Sequence, residues 1–165
     1  MKDVLRVRDL PTGCVSELLV SLGLTVSWVA PNRPIPNSYW GESEAGIDAG
    51  GLWARADTPL HSLLHEASHW VCATRFGRQM NAGDASSDDA EECAVCYLQV
   101  LLADTWPAPM SRARLFADMD RWGYSFREGS TARWFNGDGE DARQWLLARG
   151  MIDEQGALLL MTDSP

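Results

Sequence analysis

Two histidines four residues apart, His65 and His69, sit inside a helical pattern that runs from Pro59 to about Phe76 (PLHSLLHEASHWVCATRF). Thr58 before Pro59 reads as an N-cap and first-turn pair, and Gly77 closes the pattern. At about 100° per residue, His69 falls about 40° from His65 and one turn along the axis, so both imidazoles leave the same face. Glu66 lies on the flank of that face, about 100° from His65 and about 60° from His69. Leu60, Leu63, Leu64, Ala67, Trp70 and Val71 fall on the opposite side. The segment is therefore either an amphipathic helix with a solvated polar face or a helix that presents a chemical site.

The site reading is specific. H-E-x-x-H on a helix lets two imidazoles share a metal at about 2.0 Å from each nitrogen, while the intervening glutamate reaches a water on that metal without being a ligand. His65 and His69 are the expected metal ligands and Glu66 the expected general base. A third ligand is needed. The next helix, expected from Asp88 to Ala103 (DDAEECAVCYLQVLLA), is acidic in its first turn and apolar almost all the way round afterwards, which predicts deep burial. On it Asp88, Glu92 and Gln99 line one polar stripe, and Glu91 points about 100° away. Glu92 is the preferred third ligand and Glu91 the alternative; Asp88 and Glu91 also have capping-box spacing.

Other residues on these elements have plainer readings. His61 continues the histidine stripe one turn upstream, as a rim residue, a ligand or a substrate contact. Cys72, Cys93 and Cys96 read as small core filler, since a structural zinc site needs more paired ligands than one mid-helix C-x-x-C supplies. Tyr124 and Arg127, in GYSFREG, are candidates to stabilise an oxyanion, or ordinary loop residues.

Around this centre the pattern predicts a helix over 12–22, a strand over 24–30, an edge strand around Tyr39 to Ile47 within a Pro- and Gly-rich loop, and a strand over 51–56. Beyond it the pattern predicts a Ser111-capped helix to Trp122, helices at Thr131 to Phe135 and Glu140 to Arg149, and a terminal strand at Ala157 to Met161. The chain reads as a single domain over 1–165, with a core over 1–103 and a helical C-terminal extension over 104–165. Trp106, Trp122, Trp134 and Trp145 in that extension read first as core packing, second as a cap over the site or a partner surface.

Composition narrows the function further. Fourteen Lys and Arg against twenty-three Asp and Glu give a net charge of −9 with no basic cluster to offset it, which disfavours nucleic acid and anionic lipid as partners. The N-terminus MKDVLRVRDL lacks the apolar stretch of a signal peptide, and no apolar run approaches a membrane span, so the expected location is cytoplasmic and the four cysteines are expected to be reduced thiols.

The segment from GLWARA through TPLHSLLHEASHW to DDAEECAVCYLQVLLA resembles the zincin-like metallopeptidase superfamily in its gluzincin arrangement, over residues 51–103. The resemblance implies an α+β fold with a small mixed β-sheet packed on the H-E-x-x-H helix and a following Glu-bearing helix. It also implies zinc on His65, His69 and Glu92, Glu66 as base, and a peptide or protein substrate aligned by the edge strand. A shorter stretch, HEASHW with Cys72 and Ala73, is similar to the elongation factor P hydroxylase family, which implies iron and side-chain hydroxylation instead. A third expectation is a metal-stabilised binding module that has lost its chemistry.

Overall fold

The computed structural model describes residues 3–38, 41–75, 77 and 88–159. Its elements are helix α1 (Cys14–Ser21), strands β1 (Val26–Trp28), β2 (Gly46–Asp48) and β3 (Gly51–Ala54), and helices α2 (Leu60–Thr74), α3 (Asp89–Ala103), α4 (Arg112–Trp122), α5 (Thr131–Asn136) and α6 (Glu140–Ala148), with a single 3-10 turn at Val7–Asp9. The class is mixed α+β. The three strands form one sheet in the order β1-β3-β2, β1 parallel to β3 and β2 antiparallel to it.

Sequence and backbone geometry explain where the strands fall. A Cβ on Gly46 would lie 1.8 Å from the Pro36 carbonyl oxygen, and one on Gly51, at φ +133°, would lie 2.5 Å from that of Thr25. Only glycine allows these close approaches. Left-handed backbone at Gly41 (φ 80°) and Glu42 (φ 55°) interrupts the extended run, so the edge strand starts at Gly46, later than the expected Tyr39 to Ile47; Ser38 contributes one isolated bridge to Gly46, and Tyr39 and Trp40 lie outside the described residues. The expected terminal strand is reduced, within the described residues, to one bridge between Ile152 and Leu158, and its last two positions lie outside them.

The start of α2 also differs from expectation. Pro59 occupies the N-cap position, and Thr58 is fully buried with its Oγ1 accepting from the Arg55 N–H at 2.8 Å, so Thr58 closes the turn leading out of β3. The first helical N–H, that of Leu60, donates to the Leu5 carbonyl at 2.9 Å, so an N-terminal segment stands in for a capping side chain. Elsewhere the side-chain caps match their sequence signals: Asp88 accepts from Glu91 N–H, Ser111 from Arg114 N–H and Ser130 from Arg133 N–H.

The core forms where α2 packs on α3 and α3 on α6 and α4. Leu63 and Leu64 of α2, Leu98 and Leu102 of α3, and Leu115 and Met119 of α4 have no measurable exposure. Each such side chain contributes on the order of 1.5–3 kcal/mol relative to an exposed one. One hydrophobic cluster runs from Leu5 to Ile152 and takes in residues on both sides of position 103. Trp106 and Trp134 belong to it, Trp134 stacking on Phe126 with ring centroids 4.7 Å apart. Among the described residues no helix is long and apolar enough to cross a membrane.

Candidate metal centre

The histidine face of α2 is not a solvated one. His61, Ser62, Ser68 and His69 are all buried, and His65 is largely covered. The reason is α3, whose residues from Ala94 to Ala103 are all buried and press along the same face. Both sides of α2 are thus enclosed, the leucine side by the core and the histidine side by α3 together with Trp122 and Tyr124. His61 stacks obliquely on Trp122, ring centroids 4.9 Å apart, and lies edge-on to Tyr124 at 5.4 Å.

One turn onward, the first turn of α3 brings Glu92 to the two motif histidines. Glu92 Oε1 lies 3.1 Å from His65 Nε2, and Glu92 Oε2 lies 3.2 Å from His69 Nε2. The two Nε2 atoms are themselves 3.2 Å apart. His65, His69 and Glu92 are the group among the described residues whose donor atoms could hold a metal ion, one atom from each within 4.8 Å of the others. Glu91, the alternative, is buried and is not in that group.

These separations suit a metal. Zinc with bonds of about 2.0–2.1 Å in tetrahedral geometry spaces its ligand atoms by about 3.3 Å, close to the observed donor spacings. Imidazole and carboxylate donors in this number also match what zinc and non-haem iron take. One side of the group remains open, since the Glu92 side chain is 44% exposed.

The electrostatics follow from this crowding. Burial would raise the Glu92 carboxyl, but hydrogen bonds from His65 and His69 outweigh it and hold it well below the usual carboxylate range. Burial acts against charge on His65, yet Tyr124, the Cys96 thiol and Glu92 together push it well above the ordinary imidazole value. Glu66 is raised by burial, partly offset by the pull of His65 and His69, with Glu92 adding to the rise. It is not part of the donor group, and the field of all three donors reaches it.

A second layer of contacts surrounds the donors. Gln99, fully buried on α3, places Oε1 3.2 Å from His65 Nδ1 and donates from Nε2 to the His61 carbonyl at 2.7 Å. His61 Nδ1 is 3.2 Å from the Tyr124 hydroxyl, which also hydrogen-bonds the Gln99 side chain. Burial raises that phenol to about 12. The Tyr124 hydroxyl is thereby engaged by His61 and Gln99. Arg127 is exposed and its charge is felt by neighbouring Glu128. Cys72 and Cys96 are buried as expected of core filler, although Cys96 also reaches His65; Cys93 is exposed.

Two participants have no motif to announce them. Glu44 comes from the irregular segment before β2, is mostly buried, accepts a hydrogen bond from Trp122 Nε1, and is raised by burial. Trp122 owes its place to the turn at the end of α4. Gln99 does carry a signal: it is the single amide in the apolar run AVCYLQVLLA, and a buried amide requires partners. No protein-family model, curated protein or solved structure matches the chain.

Proposed function

We propose that the chain is a metal-dependent hydrolase built on a zincin-like core, a small zinc metallopeptidase in which His65, His69 and Glu92 hold the ion. The observation that carries this reading is the convergence of two imidazole nitrogens and a carboxylate at 3.1–3.2 Å, beside a glutamate outside the donor group. Zinc held there supplies Lewis acidity that polarises a carbonyl and lowers the pKa of a coordinated water to about 7.

The chain's own residues supply the remainder. Glu66 accepts the proton of the attacking water on its carboxylate and delivers it to the departing amine nitrogen. Glu66 is half-buried, and partial desolvation raises its carboxyl, which favours its taking up a proton. The edge strand β2 is antiparallel to β3 and packed against α2, and the segment 36–38 lies along its outer side through the Ser38 bridge and the Asn37–Asp48 hydrogen bond. A peptide or protein is the substrate class that the zincin-like reading implies.

The same two imidazoles and one carboxylate also suit iron in an oxygen-dependent hydroxylase, which is the second reading. One experiment tests the first and separates it from the second: a quenched-fluorescent peptide library is incubated with zinc-loaded protein under air and under strict anoxia. Cleavage that is equal in both atmospheres and lost with chelator supports the hydrolase. Absence of cleavage, with substrate oxidation that requires iron and oxygen, replaces it with the hydroxylase.

A further inference from the structure

The Gln99 amide is the most constrained polar group near the donors. Its Nε2 lies 2.7 Å from the His61 carbonyl oxygen, an atom that can only accept, so the amide has one orientation open to it. The opposite orientation would set two oxygens against each other in a site from which water is excluded, since Gln99 has no exposed surface. With Nε2 so fixed, Oε1 must be the atom facing His65 Nδ1 at 3.2 Å. An amide oxygen only accepts, so Nδ1 must carry a proton. That leaves the lone pair of neutral His65 on Nε2, the atom turned toward His69 and Glu92.

We infer that Gln99 is a positioning residue, which holds the proton of His65 on Nδ1 and so commits Nε2 to the metal; the inference rests on the metal reading proposed above. The anchor runs in a closed path. The His61 carbonyl that orients Gln99 belongs to the same helix as His65, one turn before it, so α2 both carries the ligand and fixes the residue that aligns it. An uncharged acceptor has a further consequence. A carboxylate in this place would add a negative charge to the site and raise the basicity of the ligand, whereas the amide aligns His65 and leaves the charge of the donor group unchanged.

Three proteins test this: wild type, Gln99→Leu, which removes the acceptor, and Gln99→Glu, whose buried carboxyl, kept protonated by the His61 carbonyl it must donate to, still turns an accepting oxygen toward Nδ1. Zinc affinity is measured by competition with a chromophoric chelator, and the His65 Nδ1–H by 1H–15N NMR at neutral pH with and without zinc. Thermal melting of the metal-free proteins confirms that each variant is folded. The expected result is a protected Nδ1–H in wild type in both states, its loss in Gln99→Leu, and a zinc affinity lower by about 10- to 100-fold in that variant. Gln99→Glu should recover most of the affinity.

A folded Gln99→Leu with wild-type affinity would overturn the inference, as would equal losses in the two variants or a wild type with no protected Nδ1–H. Should Gln99→Leu fail to fold, the Gln99→Glu comparison and the wild-type spectrum still decide. A wild type that shows the protected Nδ1–H yet takes up no zinc would leave Gln99 as the residue that orients His65 and would overturn the metal reading instead.

Discussion

Nε2 of His65 and Nε2 of His69 face each other at 3.2 Å across one turn of α2, with a carboxylate oxygen of Glu92 equally close to each. Two imidazole nitrogens and the two oxygens of one carboxylate converge there, on the edge of a buried helix face. Neutral imidazoles and an ionised carboxylate repel in such an arrangement unless a cation, either a proton or a metal ion, lies between them. In the metal-free protein Tyr124, Cys96 and Glu92 favour the protonated form of His65, and in the function proposed above a metal ion takes the place of that proton.

Metal should therefore stabilise the fold measurably. Zinc at about 100 times its Kd adds about 2.7 kcal/mol to the folded state, which for a chain of this size raises Tm by about 5–10 °C. Calorimetry or a dye-based melt with and without chelator checks this, and an unchanged Tm would count against the centre.

Proton linkage sets the pH dependence. In the metal-free protein, His65 lies above its ordinary value, so its stabilising contribution is complete below about pH 6.5 and fades as pH rises through the folded value. Glu92 is depressed, so its contribution is present above about pH 4.5 and lost as pH falls through the folded value. The pair thus favours the metal-free fold most between those two limits. Zinc must displace the His65 proton, so zinc affinity should climb from pH 6 to pH 8 with net proton release, which titration calorimetry in buffers of different ionisation enthalpy reads directly.

Glu66→Gln should separate binding from chemistry. The amide is nearly isosteric and Glu66 is outside the donor group, so zinc should remain bound with little change. Turnover of a cleavable peptide should fall by about 10²–10⁴-fold for loss of the general base. Full activity in a zinc-loaded variant would refute the assigned role.

Trp122→Phe tests the wall beside the site. It keeps a ring against His61 and removes the indole N–H that bonds the buried Glu44 carboxylate. The expected cost is about 1–3 kcal/mol near neutral pH. Glu44 is already raised by burial, and losing the donor raises it further, so the deficit should shrink as pH falls and Glu44 protonates. Melts at pH 7 and pH 4 should show the larger difference from wild type at pH 7.

What the sequence disclosed and what it hid divide along physical lines. The α2 and α3 segments, the Asp88 and Ser111 caps, and the shared face of His65 and His69 are local properties, set by a 3.6-residue period and by side chains bonding backbone within three residues. Glu92 was legible for the same reason, as the acid on the polar stripe of an otherwise apolar helix. The contact between His65 and Gln99 joins residues 34 apart, and that between Trp122 and Glu44 joins residues 78 apart, so only the tertiary fold creates them. Thr58 carries a capping signal that the β3 exit turn claims first, and the edge strand is cut short by the left-handed backbone at Gly41 and Glu42. Tyr124 takes its hydroxyl partners from His61, 63 residues away in sequence, and from Gln99, contacts that its loop position does not encode.

The most direct test of the central claim is elemental analysis of untagged protein, purified anaerobically without chelators, beside His69→Ala. The account predicts about one zinc per chain in the wild type, as a single three-residue site requires, and its loss in the variant. Protein that folds and contains no stoichiometric metal in either form would contradict it.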